Sequence, residues 1–390
     1  MEIQMRELDR TAVERIAKGA CFLGSGGGGP LSITPAIIDN IFKATDSVKV
    51  VDINEVADDA HLAISAGMGS PQRAAGMTFD TAPAVAFEAV ATLYGKPLNY
   101  VAAIEVGAAN SVIPMLVAAQ KNIPLIDANG AGRAVPTLPS TTFSQVGIPA
   151  TPAVLSAVGV PGNPCVTCPS GDSAEEVEAW AGEVLTTDPN FTKYNAGAIA
   201  LWPFNGKILK SGSGINAAAI GGSLVLAEKI GAALESKTPV DSVQQVLTES
   251  KQAHHFLGIG KVIAVKEEAV GALDGGIVVI DMGKHIIELP YLNEFLGAFV
   301  WDSQKPGYVL GPDMICCMTP AGEPLSNPSI NELFNTSGAF DIAVFTLTAA
   351  EAMQKPSMYS EFANNISKLY PAFKGSYGQP GTLTMAWTSG

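Results

Sequence analysis

Two loops in this chain carry the residue types that chemistry needs. In the first, Leu125-Ile126-Asp127-Ala128-Asn129-Gly130-Ala131-Gly132-Arg133-Ala134-Val135-Pro136, an apolar run breaks into a charged, glycine-punctuated segment. Residues 123–126 read as a short buried strand, and in open α/β sheets ligands bind beyond the carboxyl ends of strands. Asp127, Asn129 and Arg133 are therefore expected to face a cleft. The second, Glu105-Val106-Gly107-Ala108-Ala109-Asn110-Ser111, follows the apolar run 101–104 and leads into a helix, so it is a strand-end loop of the same kind. Loops at adjacent carboxyl edges converge on one place. A carboxylate there suits acid–base work; the alternative is a buried structural ion pair between Glu105 and Arg133.

Other candidates are weaker. Gly24-Ser25-Gly26-Gly27-Gly28-Gly29-Pro30 fits G-x-G-x-x-G, with Asp52 placed as a ribose-binding acid would be. Only Cys21-Phe22-Leu23 separates it from a helix, where a dinucleotide fingerprint requires a strand. A nucleotide-binding α/β enzyme thus stays as an alternative. The favoured reading is a loop whose backbone N–H groups hold an anionic ligand group, and a structural turn is the bland one. Of four histidines, His254 and His255 lie where chain from one domain could reach the other's cleft. Cys165-Val166-Thr167-Cys168 has metal or redox spacing but no second pair, and the adjacent Cys316 and Cys317 must point to opposite faces of a strand. Carboxylates at Pro290-Tyr291-Leu292-Asn293-Glu294 and Gly311-Pro312-Asp313-Met314-Ile315 sit beside strands, where solvated turns are the ordinary explanation.

These residues need elements to hold them. The first half alternates helix-period and apolar-strand segments: helices over 9–20, 35–44, 81–94 and 110–121, and strands over 48–53, 61–66, 100–104 and up to Asp127. That order predicts a mostly parallel sheet covered on both faces, a three-layer α/β domain. Residues 130–171, rich in Pro, Gly, Thr and Ser, read as a linker, which divides the chain into domains 1–168 and 169–390. Helices over 174–185, 215–234 and 240–250 follow. Beyond residue 260, closely spaced β-branched runs and turns such as Asp274-Gly275 and Met282-Gly283 predict a β-rich, barrel-like domain with accessory helices.

With 37 acidic against 23 basic residues, a net charge of −14 disfavours nucleic acid and anionic membranes as partners. No apolar stretch reaches the ~18 residues of a membrane span. The mixed-charge start lacks the features of a signal peptide, and the five cysteines lack the pattern of a disulfide framework, so a cytoplasmic protein is expected. Hydrophobic residues at 47% against 15% charged imply large cores and subunit contacts, hence a homo-oligomer.

Taken in order, Gly24 to Pro30, Met68-Gly69-Ser70-Pro71, Glu105 to Ser111, Asp127 to Pro136, Asn293-Glu294 and Gly311 to Ile315 resemble the S-methyl thiohydantoin desulfurase (DUF917) family over most of the chain. The resemblance implies an N-terminal α/β domain joined to a barrel-like β domain. It also implies hydrolytic removal of sulfur from a thiohydantoin ring, zinc as a cofactor, and a hydantoinase or oxoprolinase as a partner. The substrate would be a small cyclic ureide or thioureide. Two acids of the family loop are replaced here, by Asn129 and by Thr137 after Pro136. These departures motivate the alternative of a non-catalytic ligand-binding or hydantoinase-partner protein.

On that basis the expected site lies in a cleft between the domains, acting in desulfurisation or ring C–N hydrolysis. Asp127 with His254 or His255 would hold a metal that acidifies a bound water, or Glu105 would be the general base; Glu105, Asp127 and His255 are the catalytic set. Arg133 would bind a substrate carboxylate bidentately. The N–H groups of Gly26, Gly27 and Gly28 would hold developing negative charge. Asn110, Asn129, Asn293 and Glu294 would complete the substrate contacts.

Overall fold

The computed structural model describes residues 5–69, 77–169, 171–270, 273–302 and 306–369. Ser70 and Pro71 of the sequence motif lie outside the described residues.

The first sheet runs β1 (Met5–Leu8), β2 (Val48–Val51), β5 (Leu125–Ile126), β4 (Tyr100–Ala103), β3 (His61–Gly69), β9 (Ala196–Asn205), β7 (Val154–Ser156), β8 (Cys165–Thr167) in spatial order. The pairs β2–β5, β5–β4 and β4–β3 are parallel, as the alternating pattern predicts. The flanking pairs are antiparallel, so the sheet is mixed rather than mostly parallel. Its interior strands β4, β5, β7 and β9 are largely apolar and buried, as strands covered on both faces must be, while the edge strands β1 and β8 are mostly exposed.

Helices α1 (Arg10–Leu23), α2 (Thr34–Ala44), α3 (Ala82–Tyr94) and α4 (Ala108–Lys121) form where the sequence places them. Asp9 caps α1 by accepting from the Ala12 N–H. Residues 108–118 of α4 are buried, which its small and aliphatic composition permits. The short α5 (Thr142–Gln145) and α6 (Ala174–Thr187), with a Ser173/Glu176 capping box, follow. After α7 (Gly206–Leu209) come α8 (Ser223–Leu234) and α9 (Pro239–Glu249). Only part of the helix expected over 215–234 is helical, since Ile220–Gly221 (β10) pairs antiparallel with Ala128–Asn129 (β6). Gly19 of α1 and Gly231 of α8 meet the facing helix backbone so closely that a Cβ would overlap Ala227 O or Arg15 O.

The second sheet is antiparallel and curled into a half-barrel. Its order is β16 (Gly307–Leu310), β15 (Gly297–Trp301), β13 (Ile286–Leu292), β12 (Leu273–Asp281), β11 (His254–Val270), β19 (Phe340–Leu347), β17 (Met314–Met318), β18 (Pro324–Leu325), with β14 (Glu294–Phe295) paired to β13. Met282-Gly283 makes the predicted turn, Gly283 taking a left-handed φ of 82°. Asp274-Gly275 instead lies inside β12. Helices α10 (Asn327–Ser337) and α11 (Pro356–Leu369) complete the lobe. Cys316 joins a core with α1 while Cys317 joins the barrel core, the opposite-face placement that adjacent strand residues require.

Two expectations about organisation change. The first sheet continues to β9, past the division at residue 168, and one hydrophobic core joins α1 and α4 to β17 and β19 of the second lobe. The glycine- and proline-rich stretch does not behave as a linker at its start, since most of residues 126–143 are buried against both lobes. No described helix is long and apolar enough to cross a membrane.

Candidate functional site

A cavity of about 120 Å³ opens beyond the carboxyl ends of β3 and β4. Gly67–Gly69 of β3 and the Glu105 loop form its floor, Gly28–Pro30 one side, and Asn293–Glu294 from the second lobe cover it. Residues 135–138 and the face of α6 bearing Glu178, Gly182 and Leu185 close the other side.

Glu105 stands at the end of β4 and is 5% exposed. Its Oε1 accepts from Asn110 Nδ2 at 2.6 Å, one turn into α4, and its Oε2 accepts from the Val135 N–H at 2.8 Å. Asn110 Oδ1 in turn accepts from the Gly67 N–H, so one amide ties the floor strand to the carboxylate. Burial pushes Glu105 up to about 7, although both hydrogen bonds and the field of Arg133 favour its charged form; the charge of Glu178 adds to the rise.

Glu294 follows Asn293, whose left-handed φ of 57° and paired bonds to Asp274 (N to O at 2.6 Å, Oδ1 from N at 2.9 Å) turn the chain between β13 and β14. Glu294 is 3% exposed. One carboxyl oxygen takes the Gly28 N–H, and Oε2 is buried with no hydrogen-bond partner. Burial raises its pKa well above the carboxylate range, the negative charge of Glu105 raises it further, and Arg133 and the Gly28 N–H only partly offset this. Burial therefore favours its protonated form relative to an exposed carboxyl. Neither Glu294 nor Asp313 is the solvated turn residue their sequence setting suggests.

The glycine loop explains how Glu294 arrives there. A Cβ on Gly27 would overlap the Glu294 carboxyl, and one on Gly28, at φ 75°, would overlap Gly107. Gly28 O accepts from the Ala109 and Asn110 N–H groups at the start of α4, Ser25 O from Phe295, and Gly26 O from Asn327. Gly27 N–H is taken by Gly24 O. The loop thus joins the two lobes mainly through its carbonyls, and the expected oxyanion role does not fit Gly27 and Gly28, whose N–H groups are used within the protein. It follows a helix, without the strand that a dinucleotide site needs.

Several expected site residues lie elsewhere. Arg133 is 1% exposed and all its nitrogens face backbone carbonyls: Nε to Ala134 O, Nη1 to Pro312 O and Asp313 O, Nη2 to Phe295 O, with Phe362 stacked on the guanidinium. It pins β14 and the residues before β17 to the first lobe, and burial draws its pKa down to about 10 despite the nearby negative charge of Glu294. It forms no ion pair with Glu105 within salt-bridge distance among the described residues. Four of its five N–H donors are thus committed to backbone carbonyls and it does not line the cavity, so bidentate capture of a substrate carboxylate there does not fit.

Asp127 accepts from the Leu224 and Val225 N–H groups at 2.9 and 3.4 Å, at the N-terminus of α8, and does not line the cavity. Burial raises its pKa in spite of those bonds. Asn129 Oδ1 accepts from Ala131 and Gly132 while its amide donates to Ser223 Oγ at 2.9 Å, so it shapes the loop and is not a cavity residue. His254, bonded to Gln252 O at 2.8 Å, and the exposed His255 sit opposite Leu347 and Thr346 in the second sheet, and neither reaches the cavity. Asp127, His254 and His255 do not converge, and among the described residues no group of three or more His, Cys, Asp or Glu side chains is arranged to hold a metal ion. The implied zinc thus finds no fitting donor set among them. Of the two departures from the family loop, only Thr137 touches the cavity, with Oγ1 at 3.0 Å from Ser140 Oγ.

The structure brings Glu105, Asn110, Asn293 and Glu294 together around one cavity and adds Glu178, which sequence reading missed. Its only sequence signal is the spacing of 178, 182 and 185 on one helix face, indistinguishable beforehand from the solvated acids Glu175 and Glu176 nearby.

Comparisons follow the same outline. A solved X-ray structure of a Chromobacterium violaceum protein, a structural-genomics target, matches with a TM-score of 0.76 at 28% identity, covering 94% of this chain and 97% of that one. No curated protein matches. Residues 11–160 match the S-Me-THD-like N-terminal domain and residues 192–359 the S-Me-THD-like C-terminal domain. The chain therefore belongs to the S-Me-THD-like family, with both of its domains present and the cavity lined from each.

Proposed function

We propose that the protein hydrolyses a small hydantoin- or thiohydantoin-type ring in this cavity, with Glu105 as general base and Glu294 as general acid. The observation that supports this best is that two buried carboxyl groups from different lobes line one cavity, one of them with an unpartnered oxygen. Groups whose environments set them at different proton affinities divide acid and base work between them. Burial favours the protonated form of Glu294, while Glu105, raised to about 7, is poised between its two forms near neutral pH.

In the thiohydantoin case, water adds through oxygen to the ring carbon bearing sulfur. Glu105 takes one water proton as the C–O bond forms and the carbon–sulfur π pair moves to sulfur. Glu294 protonates that sulfur. The carbon–sulfur bond then breaks as the remaining hydroxyl passes its proton to the Glu294 carboxylate and Glu105 returns its proton to the departing sulfur, leaving a ring carbonyl and hydrogen sulfide with both carboxyl groups in their starting forms. With a hydantoin, the same pair would open a ring C–N bond. Asn110 holds Glu105 in register with α4, and the apolar walls from Ile104, Val135, Leu138 and Ile199 limit competing water.

Purified protein is incubated with thiohydantoins bearing small side chains, propionate included, while sulfide and ring absorbance are followed. Turnover is expected, with Glu105→Gln slowed roughly hundredfold or more, as loss of a general base implies. Absence of turnover with every ring would remove the catalytic reading. Thermal stabilisation by rings without turnover would favour the non-catalytic alternative, a ligand-binding or hydantoinase-partner protein.

A further inference from the structure

The acid–base pair leaves one requirement of ring hydrolysis unassigned. As water adds, negative charge builds on the atom doubly bonded to the attacked carbon, and a donor aimed at that atom favours the transition state over the bound substrate. Gly27 and Gly28 cannot supply it, because their N–H groups are spent on Gly24 O and the Glu294 carboxyl.

Asn293 precedes Glu294 in the turn between β13 and β14 and lines the same cavity, only 8% exposed. Three of its polar groups are fixed by the protein. Its N–H donates to Asp274 O at 2.6 Å, its Oδ1 accepts from the Asp274 N–H at 2.9 Å, and its carbonyl accepts from Asn327 Nδ2 at 2.9 Å. Asn327 is itself held at the start of α10, where its N–H donates to Gly26 O at 2.8 Å. The bond at Oδ1 decides which end of the Asn293 amide is which. Only the oxygen can accept from a backbone N–H, so the NH₂ group occupies the other branch of the carboxamide. That nitrogen carries two donors, and no described residue accepts from either. Unlike Glu294 Oε2, it is not sealed from water-sized space. One turn thus presents two neighbouring groups to the cavity, an unspent donor on Asn293 and an unpartnered carboxyl oxygen on Glu294.

We propose that Asn293 is a catalytic residue whose Nδ2 donates to the exocyclic sulfur or oxygen of the attacked ring carbon, in a bond that strengthens as charge develops there. This rests on the hydantoin-type reading of the cavity. No proton leaves Asn293. As Glu105 takes the water proton, the carbon–sulfur π pair moves to sulfur, the Asn293 N–H stabilises the resulting anion, and Glu294 then protonates it. Asp274 and Asn327 have already oriented the donor, so little reorganisation accompanies the reaction.

The test is steady-state turnover of a 2-thiohydantoin by the full-length protein and two variants. Asn293→Asp keeps an acceptor for the Asp274 N–H and tolerates the left-handed φ of 57°, but has no donor. Asn293→Gly suits the same backbone and removes the amide without adding charge. Near-UV circular dichroism and melting check both folds, and one folded variant suffices. In each, kcat is expected to fall roughly hundredfold while KM changes by less than about threefold, as loss of one such donor implies. A purely structural role for the turn would instead lower the melting temperature and raise KM. If a folded variant keeps kcat within about threefold of the parent, or only KM rises, the assignment is overturned while the ring reading stands. If the unaltered protein turns over no ring, the ring reading fails and this assignment with it.

Discussion

Replacing Glu105 by Gln should reverse the sign of a stability difference between acidic and basic pH. The carboxyl titrates at about 4.5 when unfolded and about 7 when folded, with burial as the main cause. The folded state therefore prefers the protonated form. Its stabilising contribution is complete below the unfolded value, declines as pH rises through the window from about 4.5 to 7, and is gone above it. A rise of about 2.5 pH units at 1.36 kcal/mol each sets that loss at about 3 kcal/mol. At 5% exposure, solvent screening removes little of it. Glutamine carries no charge to desolvate, but it has one acceptor where the carboxylate has two. Its NH₂ must then face either Asn110 Nδ2 or the Val135 N–H, a conflict worth about 1–3 kcal/mol. The variant should accordingly be less stable than the parent near pH 5 by about 1–3 kcal/mol, and equal or more stable near pH 8. Urea unfolding of both proteins at the two pH values measures this. A difference that stays the same, within about 0.5 kcal/mol, at both values would mean that the Glu105 carboxyl is not held up by burial, and the acid–base assignment would lose its physical basis.

Three further outcomes follow from the same contacts. Arg133→Met keeps the stem but strands the carbonyls of Ala134, Asp313 and Phe295, so stability should fall by about 2–5 kcal/mol in denaturant unfolding; an unchanged midpoint would contradict its role in fastening the lobes. Asp127→Ala removes an acceptor at the start of α8 and should cost about 0.5–2 kcal/mol, with ring affinity by calorimetry unchanged. Lost affinity at unchanged melting temperature would return Asp127 to the binding site. Gly27→Ala drives a methyl into the Glu294 carboxyl and should destabilise by about 1–3 kcal/mol while weakening ring binding; tight binding in that variant would show that Glu294 can leave without consequence.

The sequence by itself determined the parallel strands and their helices, because apolar periodicity is a local record of which face is buried. It also marked Glu105, Asn110 and Glu294 as candidates, since strand ends and turns are legible from apolar runs that stop. It could not separate Glu105 from Asp127. Both follow buried strands that end in polar loops, yet one carboxylate turns into a cavity and the other to the N-terminus of α8, a helix almost a hundred residues further along the chain. Arg133 looks like a ligand-binding cation in sequence, and only the arrival of Phe295, Pro312 and Asp313 turns it into a clasp. Asn129 reads as a missing acid until both ends of its amide are seen in use, at Ala131, Gly132 and Ser223. Glu178 is one surface acid among several until α6 packs beside residues 136–138. The common reason is that hydrogen-bond capacity and proton affinity depend on what lies opposite a side chain, and for these residues that is chain from far away in sequence.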